Sequence, residues 1–440
     1  MAGQEDAFVY NINKDYRVVG VRGNKCSLFF KNSQNQLIAS LNGCQNIFTE
    51  ITLSGGRQAL TGIEKKYLLS FIRAKKYLIS KEAAEMLDVS IIRYQDGREE
   101  YLSERQLKRR ISYGIDFANV YIGKLSASVI KIPADSRETS YHFGSADVKK
   151  LLIGENCSIN IDLRDNTSIE NIVVNEKFSG TMNLSRTTVE SVFIGNNCRC
   201  NLSISDSKRC FNLQIADIYS GNLNISNSCL YALGIGYYSY ADIMLTNNII
   251  KKEISIGDSF RGGLYAAEQS VEVIKIGDDC KGWIKLSGQG KNTGAKKISI
   301  GDDFSGTLNM SGDDSISSVE FGRKNTGKTE AAYMGSLHTV KIGKFYSGIM
   351  DLNASAVQNI SVAYGASGKL NIEECKNLSF IQATVDNHLV MDGSLSVTDV
   401  KTVDGNIYYN FGKDTNISNL MPFYKKIYTN TRKMLSGRFM

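Results

Sequence analysis

Proline is nearly missing from this chain: two residues in 440, Pro133 and Pro422. So little proline excludes Pro-rich linkers, and with abundant Gly, Asn and Ser it suits many tight turns in a chain ordered nearly end to end. No stretch of about 18 apolar residues occurs, which excludes a membrane-spanning helix. The N-terminal MAGQEDAFVYNINKDYR has no basic segment followed by an apolar run, so no Sec signal is expected. The expectation is a soluble protein, cytoplasmic or delivered by a non-Sec route.

Chemistry-bearing motifs are equally scarce. The three histidines, His142, His338 and His388, sit far apart, and His142 falls in a segment, residues 133–146, that reads as an inserted loop. Neither a Ser-His-Asp set, a P-loop nor a Cys/His metal spacing is present. Catalysis therefore has no motif behind it, and no cofactor or metal is expected. Nine cysteines are an odd number, and several recur at one inward repeat position. They read as small apolar core residues in a reducing compartment, not as a disulfide framework.

What the chain does have is a repeat. Eleven segments align: IGENCSI from Ile153, VNEKFSG from Val174, IGNNCRC from Ile194, IADIYSG from Ile215, IGYYSYA from Ile235, IGDSFRG from Ile256, IGDDCKG from Ile276, IGDDFSG from Ile300, FGRKNTG from Phe321, IGKFYSG from Ile342 and VAYGASG from Val362. Their starts lie 20 or 21 residues apart, except for one gap of 24. A weaker copy begins at Ile122, and diverged coils are expected around Phe380 and Thr402. A period this steady means a stacked array.

Apolar residues recur two before each start (Val192, Leu213, Ile254, Ile274), at the start, four after it (Cys157, Phe178, Phe260, Phe304), and eight and ten after it (Leu223/Ile225, Ile284/Leu286). A spacing of two is strand periodicity. One coil cannot bury its apolar face alone, whereas stacking at about 4.8 Å per coil covers it. Glycine one or six places after the start is expected to supply the turns. Asn183, Asn224, Asn309 and Asn371 share an outward position, where amides could form a ladder. The fold class is thus mainly β: a parallel β-solenoid of about 13 coils, about 60 Å long at that spacing, with a small α+β N-terminal domain and a C-terminal capping helix. The pattern resembles the parallel β-helix proteins over about two-thirds of the chain.

The expected domains are 1–112, with helices in 61–112; the solenoid, 113–412; and a basic helix, 413–440. The flanks carry the positive charge: residues 57–112 hold 13 Lys/Arg against 8 Asp/Glu, and 413–440 hold 6 against 1. Thr61-x-x-Glu64 and Ser103-x-x-Gln106 are capping boxes. The stretch Tyr77 to Ser90 resembles the first half of an excisionase- or regulator-type helix-turn-helix, which implies DNA binding through the next helix. Only Ile91 to Gln95 remain for that helix before Asp96-Gly97. Arg105, Lys108, Arg109 and Arg110 are possible phosphate contacts. Lys425, Lys426, Arg432 and Lys433 are the corresponding cations after Pro422, where a helix closing the last coil or meeting an anionic membrane is expected.

Two solenoid features are candidate sites. Asp258, Asp278, Asp279, Asp302 and Asp303 hold equivalent places in three successive coils, spaced for turn chemistry, a cation or a pair of glycosidase carboxylates. Tyr237, Tyr238 and Tyr240 cluster on one coil, and Tyr265 and Trp283 are expected to face outward on the next two, as a surface for a sugar ring or a protein. The leading expectation is a non-catalytic scaffold holding a protein or glycan partner, of the kind a microbial effector uses, as a monomer or small homo-oligomer. The alternatives are a self-assembling rod resembling the bactofilins, a polysaccharide-cleaving β-helix, and nucleic-acid or anionic-membrane binding through the basic flanks.

Overall fold

The structure is a computed structural model. It describes residues 6–412 apart from 23–24, 45–46, 56–58, 76, 81–82, 85–86, 88, 95–97, 103, 113–116, 165–166, 208, 210, 288–293, 373–374, 376–379, 385–389, 393–395 and 404–405. The expected C-terminal helix, with Lys425, Lys426, Arg432 and Lys433, lies outside the described residues. The chain forms two compact units: residues 1–172 with 180–188, and residues 173–179 with 189–440.

The first unit opens with an antiparallel meander: β1 (Asp6–Asn11), β2 (Tyr16–Arg22), β3 (Lys25–Asn32), β4 (Leu37–Cys44) and β5 (Ile47–Leu53). Residues Val18, Leu28, Phe30, Leu41, Phe48 and Ile51 share one core with Leu68, Phe71 and Ile72 of α1 (Gly62–Ala74). The capping box at Thr61 is present: the Glu64 N–H donates to Thr61 Oγ1 at 3.2 Å and the Thr61 N–H to Glu64 Oε2 at 2.8 Å. Two otherwise unpaired helix-terminal donors are thereby satisfied.

Residues beyond α1 depart from the helix-turn-helix expectation. Strand β6 (Leu78–Ile79) joins β5 in parallel, and a helical turn at Ala83–Ala84 follows, with Ser80 Oγ accepting the Ala83 N–H at 3.3 Å. The would-be recognition helix is instead strand β7 (Ser90–Tyr94), antiparallel to β8 (Glu99–Leu102). Its β-branched Ile91 and Ile92 are buried, and five residues before a breaker suffice for a strand but not for a stable helix. Helix α2 (Glu104–Ser112) then leads to β9 (Phe117–Ile132), which pairs antiparallel with β7 on one edge and parallel with β10 (Arg137–Ile153) on the other.

The repeat begins with β9 and β10. Ile122 faces Phe143 and Ile132 faces Ile153, an offset of 21 residues. The segment 133–146 is therefore largely strand, not an inserted loop: its Ser/Thr-rich sequence hides a coil whose inward residues are Tyr141, Phe143 and Ala146. His142 stacks on Tyr121, with centroids 4.9 Å apart, and its Nδ1 lies 3.3 Å from Asp162 Oδ2.

The solenoid has about 11 turns of a repeat near 21 residues. In the coil starting at Ile256, the strand Ile249–Ile256 enters a turn, Gly263–Ala267 forms the next side, and Ser270–Ile276 begins the following coil. Ile254 pairs with Ile274, Ile256 with Ile276, and Leu264 with Ile284. Like side chains thus stack on like, and each inward column is buried along its length.

The turns are made only in part as expected. One left-handed residue falls three after the start, Tyr238 (φ 52), Ser259 (φ 58), Asp279 (φ 51) and Asp303 (φ 56) in successive coils, and another twelve after it, as at Asn227, Asn247 and Glu268; both are seldom glycine. Glycine one after the start answers a separate need, clearance between coils, while glycine six after it answers both, since Gly180 (φ 123) and Gly221 (φ 130) take positive φ. A Cβ on Gly343 would meet Gly322 O at 2.0 Å, and one on Gly262 would meet Ala241 O at 1.9 Å. A further column, thirteen after the start, is buried but polar, with Ser228, Asn248, Gln269, Asp313 and Ser355. These side chains bond backbone where the chain turns: Asn248 Oδ1 accepts the Ser228 N–H and its Nδ2 donates to Ile225 O, both at 2.9 Å.

The asparagine ladder is not continuous. Asn224 neighbours Met244, and Asn309 lies between Lys285 and Glu330, to which it donates at 2.6 Å. Equal repeat position places these residues in one column, but not next to one another. Cysteines 157, 198, 200, 280 and 375 are free and buried, as expected of core residues; Cys229 is disulfide-bonded, which the core reading did not anticipate. At the far end, Phe380–Thr384 continues the parallel stack, but the residues around Thr402 are not a coil. Ser396–Val403 and Asn406–Gly412 form an antiparallel pair, and the latter runs antiparallel to Phe380–Thr384. Among the described residues no helix is long and apolar enough to cross a membrane.

Candidate functional site

Alternate residues of a strand point outward, so register decides which exposed side chains share a face. Gly263 pairs with Asp242 on one side and Trp283 on the other, while Tyr265 pairs with Met244 and Lys285. The outward residues of three successive coils are thus Tyr240, Asp242 and Met244; then Gly263 and Tyr265; then Trp283 and Lys285. Tyr240 is 59% exposed, Met244 52% and Trp283 48%. Tyr265 is half-buried. Lys285 Nζ stands 5.8 Å from its ring centroid, within cation–π range.

Gly263 creates the relief of this face. A Cβ there would come within 2.2 Å of Trp283 Cζ2 and Cε2, so the indole lies over the bare backbone of the neighbouring coil. It is braced underneath and open above. Asp242, Arg261, Lys281 and Lys285 provide the polar surround, with Arg261 held to Asp279 at 2.8 Å. A half-exposed indole beside a phenol and a thioether offers a flat apolar platform with hydrogen-bonding edges, suited to the face of a sugar ring or an apolar protein side chain.

The structure joins Tyr240, Tyr265 and Trp283 on this face but sets Tyr237 and Tyr238 apart, on the preceding turn. Tyr237 donates its N–H to Asp217 Oδ1 at 2.9 Å, and Tyr238 takes the left-handed position. Both rings are exposed. Met244 was missed by sequence reasoning, although the signal existed: nine after the start, the neighbouring coils place Asn224, Lys285 and Asn309, against which Met244 and Tyr265 stand out. An exposed edge-to-face pair, Phe345 and Tyr364 with centroids 5.7 Å apart, was also missed.

The aspartates resolve into two rows. Two after the start, Asp258 Oδ1 accepts the Asp278 N–H at 2.8 Å, Asp278 Oδ1 the Asp302 N–H at 2.7 Å, and Asp302 Oδ1 the Arg323 N–H at 2.7 Å. Arg323 also bonds Asp302 Oδ2 through its guanidinium at 2.6 Å. The Arg323 N–H and guanidinium hold the Asp302 carboxyl below the usual carboxylate range, the wrong direction for a general acid. Three after the start, burial pushes the Asp279 carboxyl up, but Arg261 and Lys281 outweigh it and leave the group lowered. Asp303 occupies the same left-handed position one coil on. The carboxylates of Asp258, Asp278 and Asp302 thus serve the turns, and among the described residues no group of three or more His, Cys, Asp or Glu could hold a metal ion.

In the first unit, Arg109 and Arg110 are exposed on α2, and Arg110 bonds Glu100 at 3.2 Å. Arg105 and Lys108 belong to the same helix. Comparison of the chain with protein-family models, with curated proteins and with solved structures finds no match in any of the three.

Proposed function

We propose that this chain is a non-catalytic binding protein whose solenoid holds a protein or glycan partner on the outward strand face of Tyr240, Met244, Tyr265 and Trp283. The observation that carries the reading is the indole of Trp283, seated over Gly263 and half open to solvent. An apolar side chain already braced in place loses little conformational freedom when a ligand covers it, and binding energy concentrates on such aromatic anchors. The commitment of the Asp258, Asp278 and Asp302 carboxylates to main-chain donors weakens the reading as a polysaccharide-cleaving enzyme.

End-to-end self-assembly of the bactofilin kind needs free strand edges. The antiparallel partners of β9 and of Phe380–Thr384 occupy such edges within their own units and so argue against it. DNA reading by a second helix loses its support where β7 replaces that helix.

The test is a double variant, Trp283→Ala with Tyr265→Ser, screened on a glycan array and by crosslinking to candidate protein partners. Capture should fall by about tenfold or more, as loss of a hot-spot residue implies, with the melting midpoint of the solenoid unchanged. Unchanged capture would refute this choice of face.

A further inference from the structure

Helices α1 and α2 face each other across a cleft of roughly 1210 Å³, floored by β8. Lys65, Lys66 and Arg73 line it from α1, and Arg109 and Arg110 from α2. The spacings explain the wall. On α1 the buried face is Glu64, Leu68, Phe71 and Ile72, so positions 62, 65, 66, 69 and 73 fall together on the adjoining face. That face runs about 16 Å from Gly62 to Arg73.

Two carboxylates lie in the floor, Glu99 and Glu100; each has a cationic partner, while Glu100 Oε2 is buried without a hydrogen bond. Glu99 receives Arg93 at 2.6 Å and the Tyr101 hydroxyl at 2.8 Å, and Glu100 receives Arg110 at 3.2 Å. Arg73 donates through one nitrogen to Tyr101 O at 3.1 Å, which fixes its guanidinium at the floor. Lys66 and Arg109 are exposed and have no ion pair among the described residues. With Arg110 spent on Glu100, the other cations of the two walls, Lys66 and Arg109 foremost, leave the cleft positive. Its size is near that of small-ligand sites, about 300–1,000 Å³, and its guanidinium forks suit phosphate oxygens.

We propose that this cleft is a second binding site, for a small ligand bearing two or more phosphate groups, independent of the aromatic face. A multiply phosphorylated ligand can touch both walls at once, which matches cations spread across a bounded concavity better than a single anion does.

Titration calorimetry of the full chain with sodium tripolyphosphate at low salt tests the proposal, with Lys66→Glu/Arg109→Glu as the variant. The wild type should bind, and the variant should lose at least about tenfold in affinity, since two charge-assisted contacts are removed. Lys66→Gln/Arg109→Gln, which adds no repulsion, should weaken binding in the same direction and serves if the first variant melts abnormally. Absence of heat with the wild type, or equal affinity in a folded variant, would overturn the proposal. So would binding only to a long single-stranded oligonucleotide or to anionic-lipid vesicles, both run in parallel, because the site would then serve a macromolecule or a membrane.

Discussion

The N-terminal domain and the solenoid bury their apolar residues by opposite strategies. The first gathers strands and helices around one shared cluster, in which Phe30, Phe48, Phe71 and Tyr77 belong to distant parts of the sequence. The second never closes a single core: each coil touches the coils beside it through columns such as Ile254–Ile274 and Leu264–Ile284. A defect should therefore spread through the whole of the first and stay local in the second. The sites differ in the same way. The cleft arises from the faces of two helices, whereas the aromatic surface arises from exceptions within otherwise polar outward columns.

Matched substitutions break the comparison open most forcefully. Phe71→Ala and Phe260→Ala each remove a fully buried ring and should each cost about 3–5 kcal/mol. Hydrogen exchange separates them: Phe71→Ala should raise exchange throughout β1–β5 and α1, Phe260→Ala only in coils near Ile256. Uniform loss of protection across all coils in the second variant would contradict the nearest-neighbour account. Next in size, Gly343→Ala should destabilise by about 1–3 kcal/mol in a denaturant melt, because its Cβ meets Gly322 backbone and not a movable side chain.

Smaller effects sharpen the contrast. Thr61→Ala removes the side-chain half of the capping box, the Oγ1 that accepts the Glu64 N–H, and should cost about 1 kcal/mol, lowering the midpoint of the N-terminal domain alone. In the solenoid, burial pushes the Asp313 carboxyl above the usual carboxylate range. A raised acid is stabilising only while protonated in the fold, so its contribution is present below the unfolded value and is lost as pH climbs through the folded one. Asp313→Asn keeps an oxygen to accept the Ser315 N–H, and asparagine already stands at the equivalent position as Asn248. It should raise the melting midpoint at pH 7 and leave it unchanged near pH 3. An equal shift at both pH values would remove ionisation as the cause.

Much of the solenoid was legible because stacking converts each structural requirement into a recurring residue type. The inward columns at Ile254, Phe260 and Leu264 announce themselves by period. Contacts between coils are less visible: identical repeat positions put Asn224 and Asn309 in one column, but only the intervening Met244, Tyr265 and Lys285 show that the amides never meet. Glycine was legible as necessary but only partly as to cause: Gly180 and Gly221 take the positive φ of a turn, whereas Gly343 answers close approach between coils. The N-terminal domain was hardest. Ala83-Ala84 and Leu87 carry a helical spacing whatever follows, and the switch to strand at Ile91 depends on pairing with residues 99–102 and 117–121, which local pattern does not encode. Of the aromatic face, Tyr265 and Trp283 were readable from period two and Met244 was readable, though missed, from its place nine after the start, but the slot at Gly263 needed register.

The most direct measurement of the central claim compares ligand capture by the wild type and by Trp283→Ala/Tyr265→Ser at low and high salt, with glycans and proteins both read from the eluate. The account predicts a defined glycan or protein that stays bound at high salt on the wild type and is lost from the variant, because apolar contact is little screened. The same ligand held equally by both proteins, or capture that vanishes with salt alone, would contradict it.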